Sequence, residues 1–368
     1  MPNVWKVLNV TLGGPSGNVR VVNTPEAQFE VHDYSLGTDK TLAIMRRAAL
    51  IDRQLGQYDV IITSEYFASF AMNLRLAVTF CRTKHVTVGL NRSRRVLKTG
   101  FYLLDKVIDR IFRRGDLFFV HSRHEISLFR DLHRIPSDKF SFQLWGFDVP
   151  KIENDKFAQR LNDYICMIGR NNRDVETFCQ AADGLDVEAI LVTSQQQHIP
   201  DLLPANVRVY TDLSMEDCLS CIRHSRANLI LVKDDERGAG HITAVAAMLL
   251  GTPQIVSDAL VLRDYFVDGY NCLNVPIGDS ASVRSAIKVL LTKSQIAKGL
   301  GLNGIYYASR WLTHGVTEAS TFGAIGNLLS DDPINQVNPI WENEYVKLRT
   351  GPVLYGDPLS QQQQDRPQ

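Results

Sequence analysis

The stretch from residue 227 to residue 278 constrains the fold of this chain more than any other, because strand, loop and helix signals alternate along it. Residues 227–233 are a short apolar run of the strand type, and an acidic loop with two glycines follows. A helical pattern covers residues 241–250 and an apolar strand covers 254–257, after which a second helix is expected over 258–268. This alternation predicts a βαβ unit within a parallel sheet.

The loop and helix start in this unit form a candidate anion-binding site. The first turn of an α-helix has amide groups without internal partners, and the positive end of the helix dipole lies there. Gly238 and Gly240 let a ligand approach the backbone closely, while Thr243 adds a hydroxyl group and His241 a ring that can carry charge. The pattern therefore predicts a phosphate site at Gly240, His241, Ile242 and Thr243. The alternative is that the glycines serve only a tight strand-to-helix turn.

The same stretch resembles the C-terminal, donor-binding half of the GT-B glycosyltransferases, in particular the large retaining group called family 4. The likeness runs from Gly240 to Asp258 and continues in Leu-Arg-Asp-Tyr at 262–265 and Asp-Gly-Tyr-Asn-Cys-Leu at 268–273. One position departs from the family pattern, because the glutamate that grips the donor ribose in the family is Ala246 here.

The resemblance implies an α/β fold with two Rossmann-like domains that face each other across a cleft. The expected division is an acceptor-side domain over residues 1–150, a nucleotide-sugar-binding domain over 151–305, helices over 306–329 that brace the first domain, and a flexible polar tail over 330–368. Strand and helix patterns alternate through both halves, as a parallel sheet with right-handed crossovers requires.

Two arginines follow the first strand of the second half, at the place where the family neutralises the donor diphosphate. Arg170 and Arg173 have guanidinium groups that can make forked, charge-assisted bonds to phosphate oxygens. The resemblance implies that both act together with the amides of residues 240–243. The alternative is that they are surface arginines in a turn.

Catalytic contacts are expected from further loops. The resemblance assigns Glu236 to a hydroxyl group of the donor sugar, with Asp235 as its rival in the same acidic loop. Asn91 stands where the family often has a histidine that contacts the sugar, and Gly13 and Gly14 stand where it has a glycine loop facing the cleft. No metal or cofactor is implied, because GT-B enzymes usually need no metal and the nucleotide sugar is a substrate.

A basic amphipathic segment runs from Arg92 to Arg114. It has eight basic side chains. Its apolar stripe at helical spacing consists of Phe101, Leu104, Ile108, Ile111 and Phe112. Two interpretations are open: the segment rests on an anionic membrane surface, or the stripe packs on the sheet and the charges are solvated.

Composition limits the remaining possibilities. The 40 basic and 40 acidic residues cancel, which argues against a nucleic-acid partner. The sequence has no signal-type stretch and no apolar run long enough to span a bilayer. Six cysteines in 368 residues do not form a disulfide framework. A cytoplasmic location is therefore expected, with peripheral attachment at the inner membrane face if the membrane interpretation holds.

The expected function is that of a hexosyltransferase-type enzyme. It would move a sugar from a nucleoside-diphosphate sugar to a hydroxyl group of a glycan or lipid-linked acceptor, with retention, in polysaccharide, glycolipid or glycoconjugate synthesis. The alternative is a catalytically degenerate GT-B protein that binds nucleotide or glycan and supports a partner enzyme. A GT-B sugar-nucleotide epimerase is a third class, disfavoured because its acidic catalytic pairs cannot be placed in this sequence.

Overall fold

Two sheets organise the chain, and each belongs to a separate unit. The computed structural model describes residues 3–14, 16–37, 40–51, 54–90, 101–160, 164–195, 198–235 and 238–350. The first unit comprises Met1–Leu144 with Thr317–Ile340, and the second comprises Trp145–Val316 with Trp341–Gln368.

The first unit alternates strands and helices around a mostly parallel sheet. Its described elements up to residue 142 are β1 (Asn3–Thr11), β2 (Val19–Asn23), β3 (Ala27–Ser35), α1 (Thr41–Ala49), β4 (Val60–Ser64), α2 (Tyr66–Val78), β5 (Lys84–Val88), α3 (Tyr102–Phe112), β6 (Leu117–Val120), α4 (Arg123–His133) and β7 (Phe140–Phe142). The strands are hydrogen-bonded in the order β2-β3-β1-β4-β5-β6-β7. Only the pair β2 and β3 is antiparallel among these described strands.

Local sequence signals account for where the helices of this unit begin. The sequence Ser122-x-x-Glu125 before a periodic run predicts a capping box at the start of α4. In the structure each of the two side chains accepts a hydrogen bond from the other residue's backbone N–H, at 3.3 and 3.0 Å. Helix α1 and helix α2 bury apolar side chains such as Ile44 and Met72 against one face of the sheet. The capping box is thus confirmed.

The second unit contains a fully parallel sheet. Its described elements up to residue 311 are β8 (Tyr164–Ile168), α5 (Val175–Ala182), β9 (Glu188–Thr193), β10 (Val207–Thr211), α6 (Met215–His224), β11 (Asn228–Ile230), α7 (His241–Leu249), β12 (Gln254–Ser257), β13 (Leu273–Val275), α8 (Ser280–Thr292) and α9 (Ser294–Trp311). The strand order is β10-β9-β8-β11-β12-β13. The central strand β8 is apolar along its whole length because one buried core packs on each face of the sheet.

Two C-terminal helices follow, and one of them differs from the sequence prediction. Helix α10 (His314–Leu329) buries Phe322 and Ile325 on the sheet of the first unit. Helix α11 (Pro339–Thr350) lies within the segment expected to be a flexible tail from residue 330. That expectation is wrong for α11, because Trp341 and Tyr345 stand four residues apart on one helix face and are 1% and 2% exposed.

The expected second helix over residues 258–268 is also absent from the described structure. The chain makes successive turns from Leu260 to Tyr265 instead. All side chains from Val261 to Val267 except that of Arg263 are buried, so the segment lacks the broad solvent face that a surface helix would present. Within the described residues, the helices are too short or too polar to cross a bilayer.

Candidate functional site

The carboxyl ends of β8 and β11 lie side by side at the point where the strand order of the second sheet reverses. From β8 the chain proceeds towards β9 on one side, whereas from β11 it proceeds towards β12 on the other. Loops that leave neighbouring strands in opposite directions open a crevice, which is where ligands bind in sheets of this kind. The loop after β8 carries Arg170 and Arg173, and the loop after β11 leads to Gly240.

Arg173 is the central side chain of this crevice. It is 3% exposed, and its guanidinium donates from Nε to the carbonyl of Ile168 and from Nη1 to the carbonyl of Asn171, both at 3.1 Å. The group lies flat against Gly169, since a Cβ on that glycine would meet guanidinium atoms at 2.4–2.5 Å. Burial lowers the pKa of Arg173 to about 10, so the side chain still carries its positive charge at neutral pH.

In the described part of the chain, no carboxylate lies within ion-pair distance of this buried guanidinium. Burial accounts for the direction of its pKa shift, and its hydrogen bonds go to backbone carbonyls. A buried charge without a counter-ion is costly in free energy unless another group compensates it. The chemistry of this position therefore favours an anionic ligand.

The positive end of the α7 helix dipole lies next to the Arg173 guanidinium. Gly240 precedes the helix with φ of +98° and without a side-chain cap, and its carbonyl accepts the first helical bond from the N–H of Ala244 at 2.8 Å. A Cβ on Gly240 would lie 2.9 Å from a methyl group of Ile230 and 3.4 Å from Nη2 of Arg173. The helix start and the guanidinium are thus adjacent, and only glycine fits between them.

Backbone pairing holds the two loops together. Arg173 forms an isolated bridge with Val232, and the N–H of Asp174 donates to the carbonyl of Leu231 at 3.0 Å. The side chain of Asn172, whose φ is +52°, donates to the carbonyl of Asp234 at 3.0 Å. These contacts explain why Arg173 points inward.

Arg170 does not lie beside Arg173 at the start of α7, although the sequence suggests that the two arginines bind the diphosphate together. Its side chain is exposed, and it makes no hydrogen bond or ion pair with the described part of the chain. Its charge acts on Cys218 of α6, whose pKa burial raises to about 11 against the opposing effect of Arg170. The structure therefore brings Arg173, and not Arg170, to the start of α7.

The first three residues of α7 face different surroundings. His241 is buried, and its Nε2 donates to the carbonyl of Val261 at 3.1 Å, with its ring centroid 4.6 Å from that of Tyr265. Ile242 is 41% exposed, and Thr243 is partly buried. Their backbone amides belong to the first helical turn, which has no internal acceptors for them.

The other predicted site residues contribute less to this geometry. Asn91 and Glu236 lie outside the described residues. Asp235, the rival of Glu236, accepts a hydrogen bond from the N–H of Leu260 at 2.5 Å. In the first unit, Gly13 and Gly14 have no atom within 4 Å of where a Cβ would lie, so packing does not require glycine at either position.

Position 246 does not face the crevice. Ala246 is 1% exposed and belongs to the apolar cluster that contains Tyr164, Ile190 and Leu219. A ribose-binding acid could not replace it without entering that cluster. Gly169 is a further residue of the crevice, because the Arg173 guanidinium packs against it. Its place between a buried strand and an arginine loop is a sequence signal of close backbone approach. The described part of the chain holds no cluster of His, Cys, Asp and Glu side chains that could bind a metal ion.

Comparisons with known proteins give structural relatives only. No protein-family model and no curated protein sequence matches the chain. Sucrose-phosphate synthase from Thermosynechococcus elongatus has a TM-score of 0.64 at 14% identity, covering 89% of each chain. HepE from Anabaena, solved with UDP, with UDP-glucose, and with UDP and glucose, has a TM-score of 0.64 at 15% identity, covering 89% of this chain and 100% of its own.

A third relative is the UDP-forming α,α-trehalose-phosphate synthase from Burkholderia vietnamiensis. Its TM-score is 0.62 at 10% identity, over 88% of this chain and 100% of its own. These relatives are GT-B glycosyltransferases, and the chain has the GT-B fold with two mainly parallel sheets. The fold class predicted from the sequence is confirmed.

Proposed function

We propose that this chain is a glycosyltransferase that binds a nucleoside-diphosphate sugar, with a UDP sugar as the first donor to test. The observation that carries the proposal is the buried guanidinium of Arg173 beside the start of α7, which has no carboxylate of the described residues within ion-pair distance. A diphosphate satisfies both groups at once, because its oxygens accept from the guanidinium and from the helix amides. The UDP and UDP-glucose complexes of HepE support the choice of donor.

The proposed reaction breaks the bond between the anomeric carbon of the sugar and the β-phosphate oxygen. A new bond forms between that carbon and the acceptor hydroxyl oxygen, and the hydroxyl proton goes to the departing phosphate. Negative charge grows on the diphosphate as it leaves, so Arg173 and the amides of residues 240–243 stabilise the transition state more than the ground state. Arg170 is proposed as a second diphosphate contact, because its exposed side chain is free to turn towards the ligand.

The finer features of this reaction rest on the sequence resemblance. They are transfer of a hexose with retention, and a role in polysaccharide, glycolipid or glycoconjugate assembly. Glu236 is proposed to contact a donor hydroxyl group and Asn91 the sugar, and Gly13 and Gly14 are proposed as further donor-binding residues. The reaction as proposed uses the nucleotide sugar as substrate and needs no metal or cofactor.

A non-catalytic relative is the competing function, and Ala246 favours it. Because Ala246 is packed in an apolar cluster, the ribose is not gripped by an acidic group at this position. Such a protein would bind a nucleotide or glycan and serve a partner enzyme without turnover. Release of nucleotide from a donor distinguishes the two functions.

We further propose that the amino-terminal part of α3 rests on the anionic inner face of a membrane, where a lipid-linked acceptor would lie. Only Phe112 of the predicted apolar stripe is fully buried, and Phe101 is 73% exposed. Leu103 is 76% exposed and Val107 is 53% exposed, while Arg110 and its basic neighbours are solvent-accessible. Residues 91–100 of the basic segment lie outside the described structure. Exposed apolar groups beside basic ones match an anionic lipid surface.

A donor panel tests the function directly. Thermal shift with UDP, GDP and ADP sugars should give a selective rise in melting temperature for one donor, because a ligand of the folded state shifts unfolding by mass action. That donor should then release its nucleoside diphosphate on incubation with the enzyme and a glycan or lipid-linked acceptor. Binding without release would support the non-catalytic function. Absence of any selective donor binding would contradict the glycosyltransferase and would leave only a non-catalytic protein that binds a glycan.

A further inference from the structure

The turns from Asp258 to Tyr265, here called the brace, lie directly behind the start of α7. The brace follows β12 and is closed on itself by a two-bond ion pair in which Arg263 donates to Asp258 at 2.8 and 3.0 Å. Val261 and Tyr265 are fully buried. The ion pair is exposed, so the two buried side chains are what anchor this non-helical segment in the unit.

Helix α11 fixes the outer side of the brace through aromatic hydroxyl groups. Tyr345 donates its hydroxyl to the carbonyl of Arg263. The hydroxyl of Tyr307, on α9, donates to the carbonyl of Asp264 at 3.1 Å and accepts from Nε1 of Trp341 at 2.8 Å. The Trp341 and Tyr345 rings stack at 4.8 Å, so the helix presents both groups from one face.

The inner side of the brace holds the first residue of α7. The carbonyl of Val261 accepts from Nε2 of His241 at 3.1 Å, and the Tyr265 ring lies against the imidazole. The hydroxyl of Tyr265 in turn accepts from the N–H of Trp145 at 2.8 Å. His241 is thus anchored on two sides, one residue after the glycine that adjoins Arg173.

We infer that His241 is a positioning residue and that α11, acting through the brace, fixes the distance between the start of α7 and Arg173. The inference rests on the proposed function, because it concerns the same diphosphate site. Amides act best on an anion when their geometry is set before binding, so loosening this anchor lowers affinity without removing any group that touches the ligand. The segment that the sequence assigned to a tail is in this view part of the donor site's support.

Two variants of His241 separate positioning from direct contact in the full-length chain, with UDP as the probe in isothermal calorimetry. His241→Leu removes the bond to Val261, whereas the side-chain amide of His241→Gln can donate to the same carbonyl. We expect His241→Leu to weaken UDP binding about tenfold and His241→Gln to stay within about threefold of wild type, the range of one hydrogen bond. Equal loss in both variants would mean that the imidazole itself contacts the ligand, and no loss in either would mean that the anchor does not matter.

A matched tyrosine pair tests the contribution of α11. Tyr345→Phe removes a partly buried hydroxyl that donates to the brace carbonyl of Arg263 and accepts from Nη1 of Arg349 at 3.2 Å. Tyr164→Phe removes a buried hydroxyl that donates to the carbonyl of Cys221 at 2.8 Å, at the amino end of β8 and away from the crevice. We expect Tyr345→Phe to weaken UDP binding about threefold and Tyr164→Phe to leave it unchanged. Equal affinities for the two variants would overturn the role of α11.

Arg173→Met distinguishes failure of this inference from failure of the proposed function. If Arg173→Met loses UDP affinity while the His241 variants do not, the diphosphate site is supported and only the positioning role of His241 is wrong. If Arg173→Met binds UDP as wild type does, the diphosphate site itself is wrong.

Discussion

Replacing Arg173 by methionine should lower the affinity for UDP and leave the stability of the ligand-free protein nearly unchanged. Burial lowers the pKa of Arg173 from its ordinary value to about 10, which corresponds to roughly 3 kcal/mol of free energy disfavouring the charged form in the folded state. The folded protein holds this proton less tightly than the unfolded chain. The penalty is therefore fully present at pH 7, and it is relieved only as pH rises above about 10.

Methionine keeps most of the length and apolar volume of the arginine stem and removes the charge. The variant gives up two bonds to the carbonyls of Ile168 and Asn171, and the relief of the buried charge offsets that loss. Buried charges replaced by apolar groups of similar volume are often neutral for stability. We therefore expect the urea midpoint of the ligand-free protein to stay within about 0.5 M of wild type. The affinity for UDP should fall by about 10- to 150-fold, the range of a charge-assisted bond.

The assay is urea unfolding followed by tryptophan fluorescence, together with calorimetric titration of UDP, in buffer without phosphate or sulfate. Arg208→Met is the control, because Arg208 is an exposed arginine on β10 whose pair with Glu188 contributes little. It should change neither quantity. A large fall in the urea midpoint of Arg173→Met, with wild-type affinity for UDP, would show that Arg173 is a structural prop and would refute the reasoning.

Three further predictions use other parts of the chain. Ala246→Glu should lower the free energy of unfolding by about 2–5 kcal/mol, because it places a carboxylate in an apolar cluster; a melting temperature equal to that of Ala246→Ser would contradict this. Leu103→Asp should reduce sedimentation with phosphatidylglycerol vesicles about tenfold, whereas Leu202→Asp, which changes an 88% exposed leucine of the second unit, should not; equal sedimentation of the two variants would rule out the α3 surface. Burial, followed by the charge of Arg114, lowers the pKa of His85 from 6.5 to about 3, so unfolding free energy should fall by up to about 1.4 kcal/mol per pH unit below pH 6.5; His85→Gln should lack that part of the slope, and an unchanged slope would exclude His85 as its source.

The elements with local signals were predictable from the sequence, including the donor-side βαβ unit. Gly240 marks the start of α7, and Ser122 with Glu125 marks the start of α4, because caps and glycine turns depend on a few consecutive residues. The fold class followed from the alternation of strands and helices together with the resemblance of one stretch. These inferences need no knowledge of contacts between distant residues.

The orientation of the site side chains and the position of α11 depend on contacts between residues distant in the sequence, so they could not be predicted from it. Arg170 and Arg173 look equivalent in the sequence, yet the bridge from Arg173 to Val232 turns only the second inward. Helix α7 is apolar nearly all round, so its pattern does not reveal that Ala246 faces the core. Helix α11 is polar in composition, and its place depends on two aromatic side chains meeting Tyr307 and the brace.

The path of the chain through the two units has a consequence for how the protein is made. The first unit takes its last segment from Thr317–Ile340, and Phe322 of that segment packs against Phe29 with ring centroids 5.0 Å apart. A ribosome therefore releases the amino-terminal sheet long before the helix that covers one of its faces has been synthesised. Fragments cut near residue 144 should expose that apolar face and aggregate, while co-expression of the missing helix as a separate peptide should rescue them.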